Sequence, residues 1–308
     1  MPTEPTADLR AADLDVARLG SGPPVVLVHG SIVDARRTWR RQLELADEWA
    51  LCLPNRPGFA GSPALARGDF DVEAQLIAEL LGEGAHLVGH SYGAVIALLA
   101  AAARPGAVRS LTVSEPGCLR VAAGDPHVDA MIAQGEELFR RRAELAPRSF
   151  VALFRSGAHS AYDTPDELPD WLERGARHAM EERPSWEAKI PLDALAAAPF
   201  EKLVISGEHS PAFEAVCNMV AERIGARRAV IRGRGHTIPS TGEPYNAQLR
   251  AFLAECEARR DSLQRRRDDE RQRGEDQRGG PDRGDGAGGD CSTCPDHGPV
   301  LGTDDGQL

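Results

Sequence analysis

The run Ala85-His86-Leu87-Val88-Gly89-His90-Ser91-Tyr92-Gly93 constrains this chain more than any other: an apolar strand turns into an Ala-rich helix through a G-x-S-x-G sequence. So tight a turn forces strained backbone angles on Ser91, and only small neighbours at Gly89 and Gly93 leave room for it. Residues 94–103 are strong helix formers, and the amides and dipole at their N-terminal end favour an anion beside Ser91. The segment reads either as a nucleophile held up into a site or as an ordinary glycine turn. The strand before it and the helix after it favour the nucleophile.

Further short apolar runs lie at 24–28, 51–53, 85–88, 111–113, 202–205 and 229–231, with an early hairpin expected over 9–19. Helical patterns fall at 38–46, 72–81, 94–103, 212–224 and 244–257. This alternation predicts an α/β fold, a doubly wound, mostly parallel sheet. Between 117 and 191 the alternation stops, and helices are expected at 129–144, 149–154 and 167–182, broken by Pro147, Pro165, Pro169 and Pro184. The domain reading is therefore a core over 1–116 and 192–257, with 117–191 a helical lid at the carboxyl edge of the sheet. Phe139, Phe154, Trp171 and Trp186 either line a pocket beneath that lid or glue it to the core.

Beyond Glu257 the composition shifts to Arg, Asp, Glu, Gly and Gln, so a charged, Gly-rich tail over 258–308 is expected to be disordered. Its first part, free of Gly and Pro as far as Gln272, suits a few more helical turns. Cys291 and Cys294, near Asp296 and His297, have a ligand-like spacing but lack the second pair a structural zinc needs. Six scattered cysteines imply reduced thiols. A charge of −11, from 36 basic and 47 acidic residues, argues against nucleic acid or an anionic membrane as partner. The first ten residues carry neither a basic leader nor an apolar run, so a cytoplasmic protein is expected, acting as monomer or homodimer on a small-molecule acyl substrate.

A serine hydroxyl near neutral pH needs a base, an acid to orient that base, and donors for an oxyanion. His236, in Arg234-Gly235-His236 after the final apolar strand, is the candidate base, because that loop lies at the same sheet edge as Ser91. His90 adjoins the serine but projects away, His86 lies within a strand and His29 precedes a loop, so these three read as packing or hydrogen-bonding residues. His127, His159 and His178 belong to the lid. The backbone amides of Tyr92 and of Ser31, in His29-Gly30-Ser31, are the candidate oxyanion donors. The glycine pattern matches neither a dinucleotide fingerprint nor a phosphate loop, so no cofactor or metal is expected.

The strand and loop Val25-Val26-Leu27-Val28-His29-Gly30, the segment Asn55-Arg56-Pro57-Gly58-Phe59-Ala60-Gly61-Ser62, the elbow at Ser91 and the Gly235-His236 loop together resemble the α/β-hydrolase family, over about 9–257. The resemblance implies a Ser-acid-His triad and a helical cap. In most members the acid stands in a G-E-x-D context before the histidine loop, where this chain has Gly207-Glu208-His209-Ser210. Some relatives place it one strand earlier, and Ser114-Glu115-Pro116 offers Glu115 there. Glu115 is thus the candidate acid, with Glu208 in reserve and Asp34 behind it; a carboxylate capping the lid's first turn, or no functional acid at all, are the other readings. The expected activity is hydrolysis of a small, mostly apolar carboxylic ester, thioester or lactone. Alternatives are a carbon–carbon bond hydrolase or cofactor-free peroxidase on the same triad, and a non-catalytic ligand-binding protein. Dehalogenase or epoxide-hydrolase chemistry, which in the family uses an aspartate nucleophile, is disfavoured by Ser91.

Overall fold

The six apolar runs and part of the 9–19 stretch become seven strands of one sheet: β1 Val16–Leu19, β2 Pro24–Val28, β3 Ala50–Pro54, β4 Ala85–His90, β5 Val108–Ser114, β6 Glu201–Ser206 and β7 Arg227–Val230. Their spatial order is β1-β3-β2-β4-β5-β6-β7, and every pairing is parallel except β1 with β3. The computed structural model describes residues 9–158 and 162–278. The helices are α1 Ala35–Thr38, α2 Phe70–Leu80, α3 Tyr92–Ala103, α4 Pro126–Arg141, α5 Pro147–Gly157, α6 Asp170–Glu181, α7 Leu192–Ala197, α8 Pro211–Ile224 and α9 Glu243–Arg278. The sheet is covered on both faces, as its continuous apolar runs require.

The period of two along a strand shows directly in β2. Val25 and Leu27 pack with Trp39, Trp49, Tyr245 and Phe252 on one face, while Val26 and Val28 pack with Phe70, Ala94 and Val95 on the other. Each such fully buried side chain contributes on the order of 1.5–3 kcal/mol. Helix α3 is buried nearly all round, and its small residues allow the close approach. In α9 the buried positions Tyr245, Leu249, Phe252, Leu253 and Cys256 form one stripe at helical spacing.

Two expectations change, and a third holds. The hairpin over 9–19 is instead a 3-10 turn, Ala11–Asp13, and the single strand β1. That strand pairs with β3 because its lower end is tied there: the Asn55 amide donates to the Asp15 carbonyl at 2.9 Å, and the Asp15 amide to Ser62 Oγ at 2.9 Å. The helix over 38–46 resolves into α1 and a separate 3-10 turn, Leu43–Asp47. Tertiary contacts override propensity here: buried Gln42 donates to the Pro239 carbonyl at 2.9 Å and to Asn246 Oδ1 at 2.7 Å, and the Ala35 amide donates to Asn55 Oδ1. The tail begins as helix, as its first part implied, since α9 runs on to Arg278; the rest of it, with Cys291 and Cys294, lies outside the described residues. The four described cysteines, Cys52, Cys118, Cys217 and Cys256, are buried and free. Among the described residues no helix is long and apolar enough to cross a membrane.

The five non-glycine residues with positive φ among those described are Ile32, Ala60, Ser91, Glu115 and Glu208. They fall in the connections that leave β2, β3, β4, β5 and β6 in turn, so local strain collects along the carboxyl edge, where such folds build their sites. Helices α4, α5 and α6 are inserted after β5 at that same edge.

The chain clusters into two units, Met1–Asp261 and Ser262–Leu308. A protein truncated after Asp261 is expected to keep the far-UV spectrum per residue of the folded first unit and to melt within about 2 °C of the full chain in a thermal scan; a loss of cooperative melting refutes this.

Candidate active site

Ser91 has φ 57° and ψ −119°, a strained backbone that persists because its surroundings leave no alternative. A β-carbon at Gly89 would lie 2.5 Å from the Gly93 carbonyl oxygen, and one at Gly93 would lie 2.3 Å from that of His29. Both glycines are therefore steric requirements of the turn. The Ser91 amide donates to the Ser114 carbonyl at 3.0 Å, and the Gly117 amide to the Ser91 carbonyl at 3.2 Å, which locks the elbow to the exit of β5.

Three of the nominated side chains come together. His236 Nε2 lies 2.8 Å from Ser91 Oγ, and His236 Nδ1 lies 2.7 Å from Glu115 Oε2. The His236 ring is stacked on Phe213 at 4.5 Å between centroids, and His90 Nε2 donates to the His236 carbonyl at 2.8 Å. Burial pushes the His90 pKa down to about 3, so this histidine is a neutral strut for the loop. His86 meets Ser110 Oγ at 2.7 Å, and His29 Nε2 accepts from the Arg56 amide at 2.9 Å. All three act as the packing and hydrogen-bonding residues their positions implied.

Glu115 has no exposed surface. Its amide donates to the Ile205 carbonyl at 3.0 Å, and its Oε1 accepts from the Gly207 amide at 2.8 Å. His209 Nδ1 stands 3.1 Å from the same oxygen, off the line of a straight hydrogen bond but within ion-pair range. Burial acts to raise the Glu115 pKa; interactions with His209 and His236 outweigh it and bring the group down to about 2. The carboxylate does not cap the lid. Glu208 is turned outward onto Arg232, and Asp34 caps α1 through the Arg37 amide at 2.9 Å. Neither approaches His236.

Sequence reasoning missed His209 and the role of Arg56. The only signal for His209 was its place in the stretch that departs from the G-E-x-D context. Arg56 is 1% exposed and donates to Glu73 at 2.7 Å, to Glu182 at 2.7 Å and, through Nη1, to the Gly30 carbonyl at 3.0 Å. Its guanidinium also lies 4.2 Å from the centre of the Tyr92 ring. Burial works against the Arg56 charge, and the two carboxylates more than offset it. The Gly30 carbonyl belongs to the same planar peptide as the Ser31 amide, so holding one fixes the direction of the other. His29 Nδ1 supplies a second contact to that carbonyl at 2.9 Å, and Ser31 Oγ donates to Glu182 Oε2 at 2.5 Å. Glu182 follows α6, so the inserted helices are tied to the Ser31 loop by a buried charge. A β-carbon on Gly30 would lie 3.1 Å from Ser91 Cβ, which shows how closely this loop passes the serine.

Two cavities meet at Ser91 and His236. One, of about 430 Å³, is bordered by Ile32, Arg155 and Trp171; the other, of about 200 Å³, is walled by Met131, Leu138, Phe139 and Trp186. Phe154 borders both, so all four nominated lid aromatics face a cavity. Glu115, His209 and His236 are the one group among the described residues whose donor atoms approach closely enough, within 4.8 Å, to share a cation. Of the two Nδ1 atoms, that of His236 is hydrogen-bonded to the carboxylate at 2.7 Å and that of His209 lies within ion-pair range at 3.1 Å.

Residues 25–251 match the alpha/beta hydrolase family, and the chain belongs to it. A pimeloyl-[acyl-carrier protein] methyl ester esterase of Methylococcus capsulatus is 34% identical over 190 residues, covering 57% of this chain and 67% of that protein. The enzyme of the same name from Chromobacterium violaceum is 36% identical over 160 residues, covering 49% and 61%. Among solved structures, an alpha/beta hydrolase from Sphaerobacter thermophilus aligns with a TM-score of 0.58 at 26% identity, over 75% of this chain and 94% of that one. The protein is an α/β-fold hydrolase with named esterases among its relatives.

Because Glu115 is held at about 2 in the fold against an ordinary value of 4.5, the unfolded chain takes up its proton first as pH falls. The stability this group contributes is complete above about 4.5 and is lost as pH falls from there through about 2. Thermal melts at pH 7, 4 and 3 should therefore show a falling Tm in the native protein and a smaller fall in Glu115→Gln; parallel curves would exclude the effect. Arg56→Met leaves Glu73 and Glu182 buried without their cation, and urea unfolding should register a loss of about 3–5 kcal/mol.

Proposed function

We propose that the protein is a serine hydrolase of carboxylic esters, working through Ser91, His236 and Glu115. The observation that carries this reading is one imidazole bonded at its two nitrogens to a strained serine and to a buried carboxylate, at 2.8 and 2.7 Å. In the proposed reaction His236 accepts the Ser91 proton as Oγ attacks the ester carbonyl. The amides of Tyr92 and Ser31 hold the developing oxyanion, and Glu115 stabilises the imidazolium. His236 returns the proton to the leaving alkoxide, and the acyl-enzyme is then hydrolysed by water activated by the same histidine.

An ester with its carbonyl at Ser91 extends one limb into each cavity, and the smaller, largely apolar one suits a short hydrocarbon portion. The relatives' names add carrier-linked methyl esters to the substrates worth screening. The helices of 117–191 serve in this reading as a lid over the serine, and the enzyme acts in the cytoplasm on small acyl compounds. A binding-only protein would have Glu115 turned away from His236, and the 2.7 Å contact counts against it.

Intact-mass labelling with a fluorophosphonate tests the reading. Rapid single labelling is expected in the native protein and none in Ser91→Ala, with ester turnover abolished in that variant. Glu115→Gln is expected to lower kcat by about 10²–10⁴-fold. A native protein that is folded yet resists labelling and hydrolyses no ester would overturn the assignment.

A further inference from the structure

Glu115 meets two histidines. His236 takes Oε2, while Oε1 is held by the Gly207 amide and approached by His209 at 3.1 Å. The His209 ring is positioned by its own neighbours: it lies 5.8 Å from Phe213, which stacks on His236, and 6.4 Å from the His236 ring itself. Groups from several elements face it. These are Glu115 after β5, His236 after β7, Glu214 on α8 and the backbone of Ala158 at the end of α5. Both side chains of charge opposite to a histidinium, Glu115 and Glu214, lie within its electrostatic reach.

We propose that His209 is a positioning residue for the site described above: together with the Gly207 amide it holds Glu115 Oε1, so that Oε2 stays aimed at His236 Nδ1. This inference deepens the triad reading and rests on it for its effect on catalysis. In the loop after β6 the usual context would place the acid at position 210, where this chain has Ser210; the neighbouring His209 instead approaches an acid supplied by the preceding strand.

Charge sharing is the consequence. Burial acts to lower the His209 pKa, and the nearby carboxylates, Glu115 foremost, more than offset it and raise the group. A protonated His209 neutralises part of the Glu115 charge, which is then less able to stabilise a His236 imidazolium. Removing His209 leaves the whole carboxylate charge to His236, which raises the pH at which His236 loses its proton. The acid limb of kcat/KM, which requires the neutral base, therefore moves to higher pH.

The experiment compares the native protein with His209→Gln and His209→Leu. The His209→Leu protein is expected to lose about 10-fold or more in kcat with KM within about 2-fold, while His209→Gln, which can still donate to Oε1, keeps kcat within about 3-fold of native. In His209→Gln, where Oε2 keeps its aim and the competing cation is gone, the acid limb is expected to move up by roughly half a unit to one unit. Imidazole ¹⁵N NMR titration of His236 should show the same upward displacement. That readout needs no turnover, so it decides the His209 contact even if fluorophosphonate labelling of Ser91 fails and the hydrolase reading falls with it. An unchanged His236 titration in folded His209→Leu, with native kcat where turnover exists, would overturn the proposal. A drop in kcat in His209→Leu with the His236 titration unmoved in His209→Gln would reduce His209 to packing and overturn it equally.

Discussion

A carboxylate without solvent contact must be matched by donors, and Glu115 brings that demand to the centre of the carboxyl edge. The donors come from separate stretches of chain: the Gly207 amide and His209 after β6, and His236 after β7. The Glu115 amide is in turn anchored near the end of β6 through the Ile205 carbonyl. Meeting one buried charge thus draws three strand exits together. The same convergence aligns His236 with Ser91, whose own amide is held by the Ser114 carbonyl one residue before Glu115.

On the other side of the serine stands a second buried ionic group of opposite design. There a cation, Arg56, is enclosed by Glu73 and Glu182, and its third nitrogen donates to the Gly30 carbonyl. The guanidinium is rigid and planar, so its bonds fix directions as well as charges. It orients the peptide before Ser31, supports the Tyr92 ring and, through Glu182, reaches the end of the inserted helices. Ser91 is therefore bracketed by two preorganised electrostatic groups, one engaging His236 and the other the backbone around the serine. The strain at Ser91 and Glu115 is held in place by the same contacts.

The layout of the sheet was legible because a strand buried on both faces leaves a continuous apolar run, and six such runs each fall on a strand. The elbow was legible because sterics forbid a side chain at Gly89 and Gly93. The stretch 38–46 was misread for the complementary reason: its helical periodicity is real, but Gln42 is spent on partners about 200 residues away, Pro239 and Asn246. The antiparallel β1 was read as half of a hairpin because pairing with β3 leaves no local trace. His209 was passed over because nothing in its neighbours announces a contact with a residue 94 positions earlier.

The amino-acid sequence by itself determined the parallel α/β layering, the serine on its glycine-flanked turn, the histidine after the last strand and the break in alternation where helices are inserted. These are properties of short segments, governed by periodicity, sterics and turn chemistry. Tertiary structure alone brought Glu115, and not Glu208 or Asp34, to His236, turned Glu208 out to Arg232, and assembled Arg56 with Glu73, Glu182 and Gly30. The physical reason is the same in each case. Which charged groups are paired, and which face water, depends on the approach of chain segments distant in sequence, and that is settled only when burial makes an unpaired charge too costly to keep.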